Sequence, residues 1–293
     1  MHRVKVGTFT KSTLIEIARL EGYFLEDGIE VEEITVSSSP EQFELLMKGL
    51  IDVAITSPDN VIAYQYLENN PLGQRLNVRI LGALDRGLGL SLCVVADLLR
   101  APTSFGVDVP NSGFAFLGYE LLAQEGFPYG SYEIKVLGST PKRRVALIDK
   151  RVDCTILNAG NEINATSQGA KKIADLATVG PYLGTVLSVL GEPDRSARQF
   201  QQVINRVATE VLAGLHATAI LSVVERNLSI TPQGAREHYE VMLSPVHGLV
   251  ADGLVDTPSL ENLIRLRSKY LPDKDLDRAL LNISTLVSPG YLK

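Results

Sequence analysis

Apolar and polar positions along this chain keep switching between a strand-like and a helix-like period. Residues 4–10 read as a first strand, and residues 12–26 set Leu14, Ile15, Ala18 and Leu25 on one helical face. Gly28 ends that helix, and residues 29–36 read as a second strand. Residues 40–49 then form a helix with Phe43, Leu46, Met47 and Leu50 as its stripe. The pattern continues with a strand over 53–56, a helix over 61–67 and a strand over 78–84. Further strands are expected at 90–96, 104–109, 134–137, 153–157 and 186–190, with helices at 113–126, 141–150 and 160–170. The last third is helical over 194–227, 231–243 and 258–271, and no repeat or low-complexity segment interrupts it. Strands alternating with helices of this length predict an α/β protein with right-handed βαβ crossovers and mainly parallel sheets.

Ser39-Pro40, Ser57-Pro58, Thr140-Pro141, Thr231-Pro232 and Thr257-Pro258 each precede a helical pattern. A Ser or Thr side chain accepts from first-turn N–H groups, and Pro at the first helical position loses no needed donor. At Ser39 a capping box is expected with Gln42. Four hydroxyl- and amide-rich loops lie between a strand and a helix: residues 9–13, 57–60, 109–113 and 157–162. Parallel α/β sheets bind ligands at the carboxyl ends of their strands, where helix N-termini favour anions. Each residue also has a structural reading. Ser12, Ser57 and Ser112 are N-cap candidates, Asn111 suits a turn, and Gly113 and Gly160 relieve backbone strain.

Composition narrows the function. The 293 residues suffice for two domains with their own cores. With 28 Lys plus Arg against 34 Asp plus Glu, the net charge is −6, a poor basis for binding nucleic acid. The densest basic run, Lys142-Arg143-Arg144, reads as a solvated helix face. Cys93 and Cys154 sit in apolar runs without metal-ligand spacing, so buried strand thiols are expected and neither a metal nor a cofactor is implied. No apolar run reaches membrane-span length, so no direct membrane insertion is expected. The start enters a strand at once, without a leader pattern. The expected location is extracytoplasmic if a leader was trimmed and cytoplasmic if Met1 is the native start.

No nucleophile elbow, zinc-protease motif or P-loop occurs. His216 and His238 read as surface or packing residues, leaving His247 as the loop histidine able to line a cleft. Asp59, Asp85 and Glu162 are acid/base candidates, and Lys11 suits charge pairing with an anion.

Three blocks carry a resemblance to a known family. The first is residues 6–13 leading into Glu21-Gly22-Tyr23-Phe24-Leu25-Glu26-Asp27-Gly28-Ile29-Glu30-Val31. The second is residues 43–58 and the third residues 144–153. Over about residues 4–190 the chain resembles type 2 periplasmic binding proteins, in the SsuA-like branch serving sulfonates, nitrate or taurine, and thiamine-pyrimidine precursors. The resemblance implies a discontinuous first lobe, residues 1–86 plus 190–293, and a second lobe, residues 87–189, closing by a hinge on a small molecule. By position, the ligand-facing residues are Thr10, Lys11, Ser12, Thr13, Ser57, Asp59, Asn60, Asn111, Ser112, Gly113, Asn158 and Glu162. It further implies a solute-binding protein for an anionic or heterocyclic organic molecule, with the permease of an ABC importer as partner. The alternative is a cytosolic enzyme on the same fold, decarboxylase-like or thiamine-pyrimidine-synthase-like. The chain has no Trp, so Phe9, Tyr64, Phe114 and Tyr182 are the candidates for stacking on a ring ligand.

Overall fold

The computed structural model describes residues 2–95 and 101–293, so Ala96, the last residue of one expected strand, lies outside it. The chain begins β1 (His2–Thr8), α1 (Thr13–Leu20), α2 (Tyr23–Glu26), β2 (Ile29–Thr35), α3 (Ser39–Met47), β3 (Val53–Thr56), α4 (Pro58–Tyr66) and β4 (Val78–Asp85). It continues with β5 (Ser91–Val94), β6 (Ser104–Val107), α5 (Gly113–Gln124), β7 (Glu133–Val136), α6 (Thr140–Ile148), β8 (Cys154–Leu157), α7 (Asn161–Ser167) and β9 (Lys171–Asp175). Then come β10 (Thr185–Leu190), α8 (Arg195–Leu212), α9 (Ala217–Leu228), α10 (Pro232–Leu243), α11 (Thr257–Tyr270) and α12 (Lys274–Leu281).

These strands form two five-stranded sheets, in the orders β2-β1-β3-β10-β4 and β7-β6-β8-β5-β9. Both are mixed: four strands of each run one way, as the expected mainly parallel sheets require, and one runs against them. Strands β1, β2 and β3 run parallel, as do β6, β7 and β8, but β10 is antiparallel to β3 and β4, and β5 to β8 and β9. The cause is topological. β5 and β10 are the strands by which the chain enters one sheet from the other, so no helical crossover fixes their direction. All of β10 lies in the first sheet. Among the described residues the unexpected β9 pairs only with β5. Its sequence Lys-Lys-Ile-Ala-Asp lacks a strand pattern, as suits a charged edge.

Left-handed residues break two expected helices. Gly22, at φ 77°, separates α1 from α2. Gly214 and His216, at φ 83° and 62°, turn the chain by 108° between α8 and α9. No single helix among the described residues is long and apolar enough to cross a membrane. The α3 cap is Ser38, whose Oγ accepts from the Glu41 N–H, so the expected Ser39–Gln42 box does not form. Gln42 points inward instead and donates from Nε2 to the carbonyls of Gly7 and Ile55.

The largest apolar cluster runs from the first sheet and its helices α3 and α4 (Ile80, Phe43, Val61) to the second sheet and α5 (Leu92, Phe105, Leu121). A second cluster packs α1, α8 and α9 against the other face of the first sheet. Cys93 and Cys154 are free and buried, and burial pushes the Cys93 thiol up to about 12. In α5, Gly118 lies against Phe105, and a Cβ there would stand 2.2 Å from the ring. Gly118→Ala is therefore expected to lower stability by about 1–3 kcal/mol, read from the urea midpoint.

Candidate functional site

Helices from both sheets start at one shared cleft. The Ser12 side chain caps α1, Ser38 caps α3, Ser57 caps α4 and Ser112 caps α5. At the start of α6, Ser139 makes no side-chain cap. Residues from each of these starts line a cavity of about 230 Å³. The first loop is held by Glu33 on β2, whose Oε1 accepts from the Ser12 N–H at 2.7 Å and the Thr8 hydroxyl at 3.1 Å. Unpaired first-turn N–H groups and the helix dipoles give this lining a positive field.

Thr10, Lys11, Ser12, Thr13, Ser57, Asn60, Ser112, Gly113 and Asn158 all line the cavity. Asn158 also ties the second sheet to the crossing, donating from Nδ2 to the Gly87 carbonyl at 3.3 Å. Three expected residues lie elsewhere. Asp59 is fully buried in a two-pronged ion pair with Arg267 of α11. Asn111 is exposed and offers only its backbone carbonyl to Arg267. Glu162 is buried beneath the lining against Gly89, and neither carboxyl oxygen has a hydrogen-bond partner. Desolvation raises its pKa to about 8, offset in part by the nearby Gly160 and Glu162 backbone N–H groups, which fall short of full hydrogen bonds, and by Lys172.

Several lining residues escaped the sequence reading. Arg143, expected on a solvated face, is buried and lines the cavity. Its Nη1 donates to the Gly138 carbonyl at 2.7 Å, its Nη2 to Thr140 Oγ1 at 3.0 Å, and Nε to the Ile156 carbonyl at 3.3 Å. Burial lowers its pKa, and the charge of Asp108 works against that shift. His238 also lines the cavity and is buried, with Nδ1 lacking a partner. Desolvation drops it to about 4, so the imidazole is neutral at pH 7. His247 does not line the cavity; it lies 3.9 Å from Asp175. Asp85, at the end of β4, lines the cavity and accepts from the Gly87 N–H at 2.7 Å. Burial raises it to about 6, against hydrogen bonds from Gly87 and Thr185. Of the candidate stacking rings, Phe9 and Phe114 line the cavity, whereas Tyr64 and Tyr182 are core residues. The helical turn of residues 140–143 was the available signal for Arg143, since it sets Thr140 and Arg143 on one face.

Neither a protein-family profile nor a curated protein matches the chain. Solved structures do. The alkanesulfonate-binding protein SsuA from Xanthomonas axonopodis pv. citri, bound to MOPS, superposes with a TM-score of 0.72 at 14% identity, covering 94% of this chain and 96% of that one. A Candida albicans gene product with the generic periplasmic binding protein structural fold superposes at 0.74 and 15% identity, covering 100% and 96%. The desulfurization enzyme DSZB superposes at 0.65 and 12% identity, covering 99% and 97%. With its two five-stranded mixed sheets and a cavity at the helix starts of both, the chain has the periplasmic binding protein fold of the SsuA-like kind.

Proposed function

We propose that this chain is a solute-binding protein that closes around one small anionic or heterocyclic organic molecule and delivers it to the permease of an ABC importer. The observation that carries the reading is the convergence of helix starts from both sheets, with buried Arg143 among them, on one cavity of about 230 Å³. First-turn N–H groups at these helix starts, with the buried charge of Arg143 beside them, suit a carboxylate, sulfonate or phosphonate. Leu14, Ile55, Leu88, Leu228 and Met242 supply the apolar remainder for a carbon skeleton. The lobes of this reading are residues 2–86 with 185–293, and residues 87–184, hinged at the two crossings. The likeness to SsuA supports the fold, and its sulfonate ligand is carried over here as a class to test first.

The test is native mass spectrometry with sulfonate, carboxylate and pyrimidine panels, repeated on two variants. A ligand bound one to one and released with its mass intact supports the reading; one released lighter by carbon dioxide or sulfite moves the chain to the enzyme class. Ser57→Trp, which fills the cavity at the start of α4, is expected to weaken binding by about 100-fold or more, since it displaces ligand and unpairs its polar contacts. Asn111→Trp, outside the cavity, is expected to bind like the parent. Equal affinity in parent and Ser57→Trp overturns the site.

A further inference from the structure

We infer that the ligand carries a protonated nitrogen besides its acid group, and that Asp85 receives it; the inference rests on the binding reading above. The charges around the cavity lead there. Arg143 is already answered by three carbonyl or hydroxyl oxygens and by the charge of Asp108. Asp85 accepts from the Gly87 N–H and from Thr185, but among the described residues no cation answers its charge. It is 97% buried by its 3% exposure, it lines the cavity, and no cation pairs with it among the described residues. Its neighbour Arg86 turns away to Asp256, at 3.3 Å, and Lys11 is exposed. The backbone is shaped to let this carboxylate sit where it does. A Cβ on Gly184 would stand 2.6 Å from Asp85 Oδ1.

The bridge between Asp85 and Leu249 places the carboxylate beside the segment that leads back to α10. The Leu249 N–H donates to the Met242 carbonyl, and one turn earlier on α10 stands His238. His238 is a second buried polar group of the same lining with a ring nitrogen lacking a protein partner. A buried carboxylate and a buried neutral imidazole are poor company for an anion but suit the N–H groups of an ammonium or amidinium. The cavity thus divides its chemistry. Helix starts take the acid, while Asp85, with His238 near the same segment, takes the nitrogen. The chemical class is a small zwitterion.

A purely structural reading exists, in which Asp85 serves only to accept from the Gly87 N–H and hold the turn. Asparagine does that equally well without charge, which makes Asp85→Asn the discriminating variant. The experiment is calorimetric titration of parent and variant with three matched pairs: 3-aminopropanesulfonate and propanesulfonate, 4-aminobutyrate and butyrate, and 2-aminoethylphosphonate and ethylphosphonate. The expected result is that at least one amino probe binds the parent tenfold or more tighter than its twin, with the gap within threefold in Asp85→Asn. Twins that bind the parent as tightly as the amino probes overturn the inference and leave the anion reading standing. A preference that survives in Asp85→Asn also overturns it. Failure of every probe to bind the parent overturns the inference and counts against the anion reading too. The comparison within the parent needs no variant, so a misfolded Asp85→Asn does not rescue the idea.

Discussion

Arg267→Met is expected to cost about 3–5 kcal/mol of folding stability, and a second change, Asp59→Leu, is expected to return most of it. The pair is buried on both sides, with Asp59 at 0% and Arg267 at 3% exposure. Nε and Nη2 donate to the two carboxylate oxygens at 2.7 Å each, and Nη2 also donates to the Asn111 carbonyl at 2.9 Å. The guanidinium lies 4.9 Å from the centre of the Phe116 ring. Removing the arginine alone strands a carboxylate where water cannot reach it, whereas removing both charges leaves a nearly apolar gap for two apolar chains to fill. The location makes the effect more than local. Asp59 stands on α4 beside the first sheet, Arg267 on α11, and Asn111 and Gly113 lead into α5 beside the second sheet. A Cβ on Gly113 would stand 2.6 Å from Asp59 Cβ, so the two halves meet here without room to spare. Urea unfolding of the two singles and the double closes the cycle. Additive losses, with the double no more stable than Arg267→Met, would show that the pair does not act as a unit.

That pair also shows how much of the site could be read from sequence. Asp59 falls in a loop that faces the ligand in the resemblance, and nothing local distinguishes it from Asn60, which does line the cavity. The distinction lies in Arg267, 208 positions away, and long-range pairing leaves no periodic trace. The loops themselves were legible because strand ends and Ser-Pro caps are local signals. Nine of the twelve residues named from them line the cavity, which reflects topology alone, since parallel strands gather their following loops at one edge. His238 and Arg143 were hidden for the opposite reason. Arg143 sits in a basic run that looked solvated and His238 on a helix with no local cue, and only the packing of α10 against α9 and α7 and of α6 against β8 and α7 turns them inward. The fold class followed from alternation, but the antiparallel entry of β5 and β10 did not, because strand direction is set by where the chain comes from. The short edge β9 carries too few apolar positions to announce itself, and α12, which buries Leu276 and Ala279, spans only eight residues.

Glu162 gives the chain an expected fall in stability between pH 6.5 and 8. Its carboxyl is buried among Gly89, Val241 and the second sheet, and both oxygens lack hydrogen-bond partners. Desolvation holds its folded pKa at about 8, against 4.5 for the free group. Between those values the folded state binds the proton and the unfolded state does not, so stability falls as pH rises through the window and levels off above 8. The full effect is roughly 3–5 kcal/mol, with a slope of at most about 1.4 kcal/mol per pH unit. Other perturbed groups act lower down. Asp85, raised from 3.8 to about 6, adds a fall that ends near pH 6. His238, lowered from 6.5 to about 4, binds protons better when unfolded, so its contribution rises from pH 4 to 6.5 and opposes the acids there. His247, also lowered from 6.5 by burial, acts in the same direction as His238. The interval from 6.5 to 8 is therefore governed by Glu162. Over it the parent is expected to lose about 1–2 kcal/mol, read from urea midpoints at half-unit pH steps. Glu162→Gln, which cannot ionise, is expected to be flat across the same steps. A parent that is equally stable at pH 6.5 and 8 would mean that water reaches this carboxyl, and a slope that persists in Glu162→Gln would assign the proton to another group.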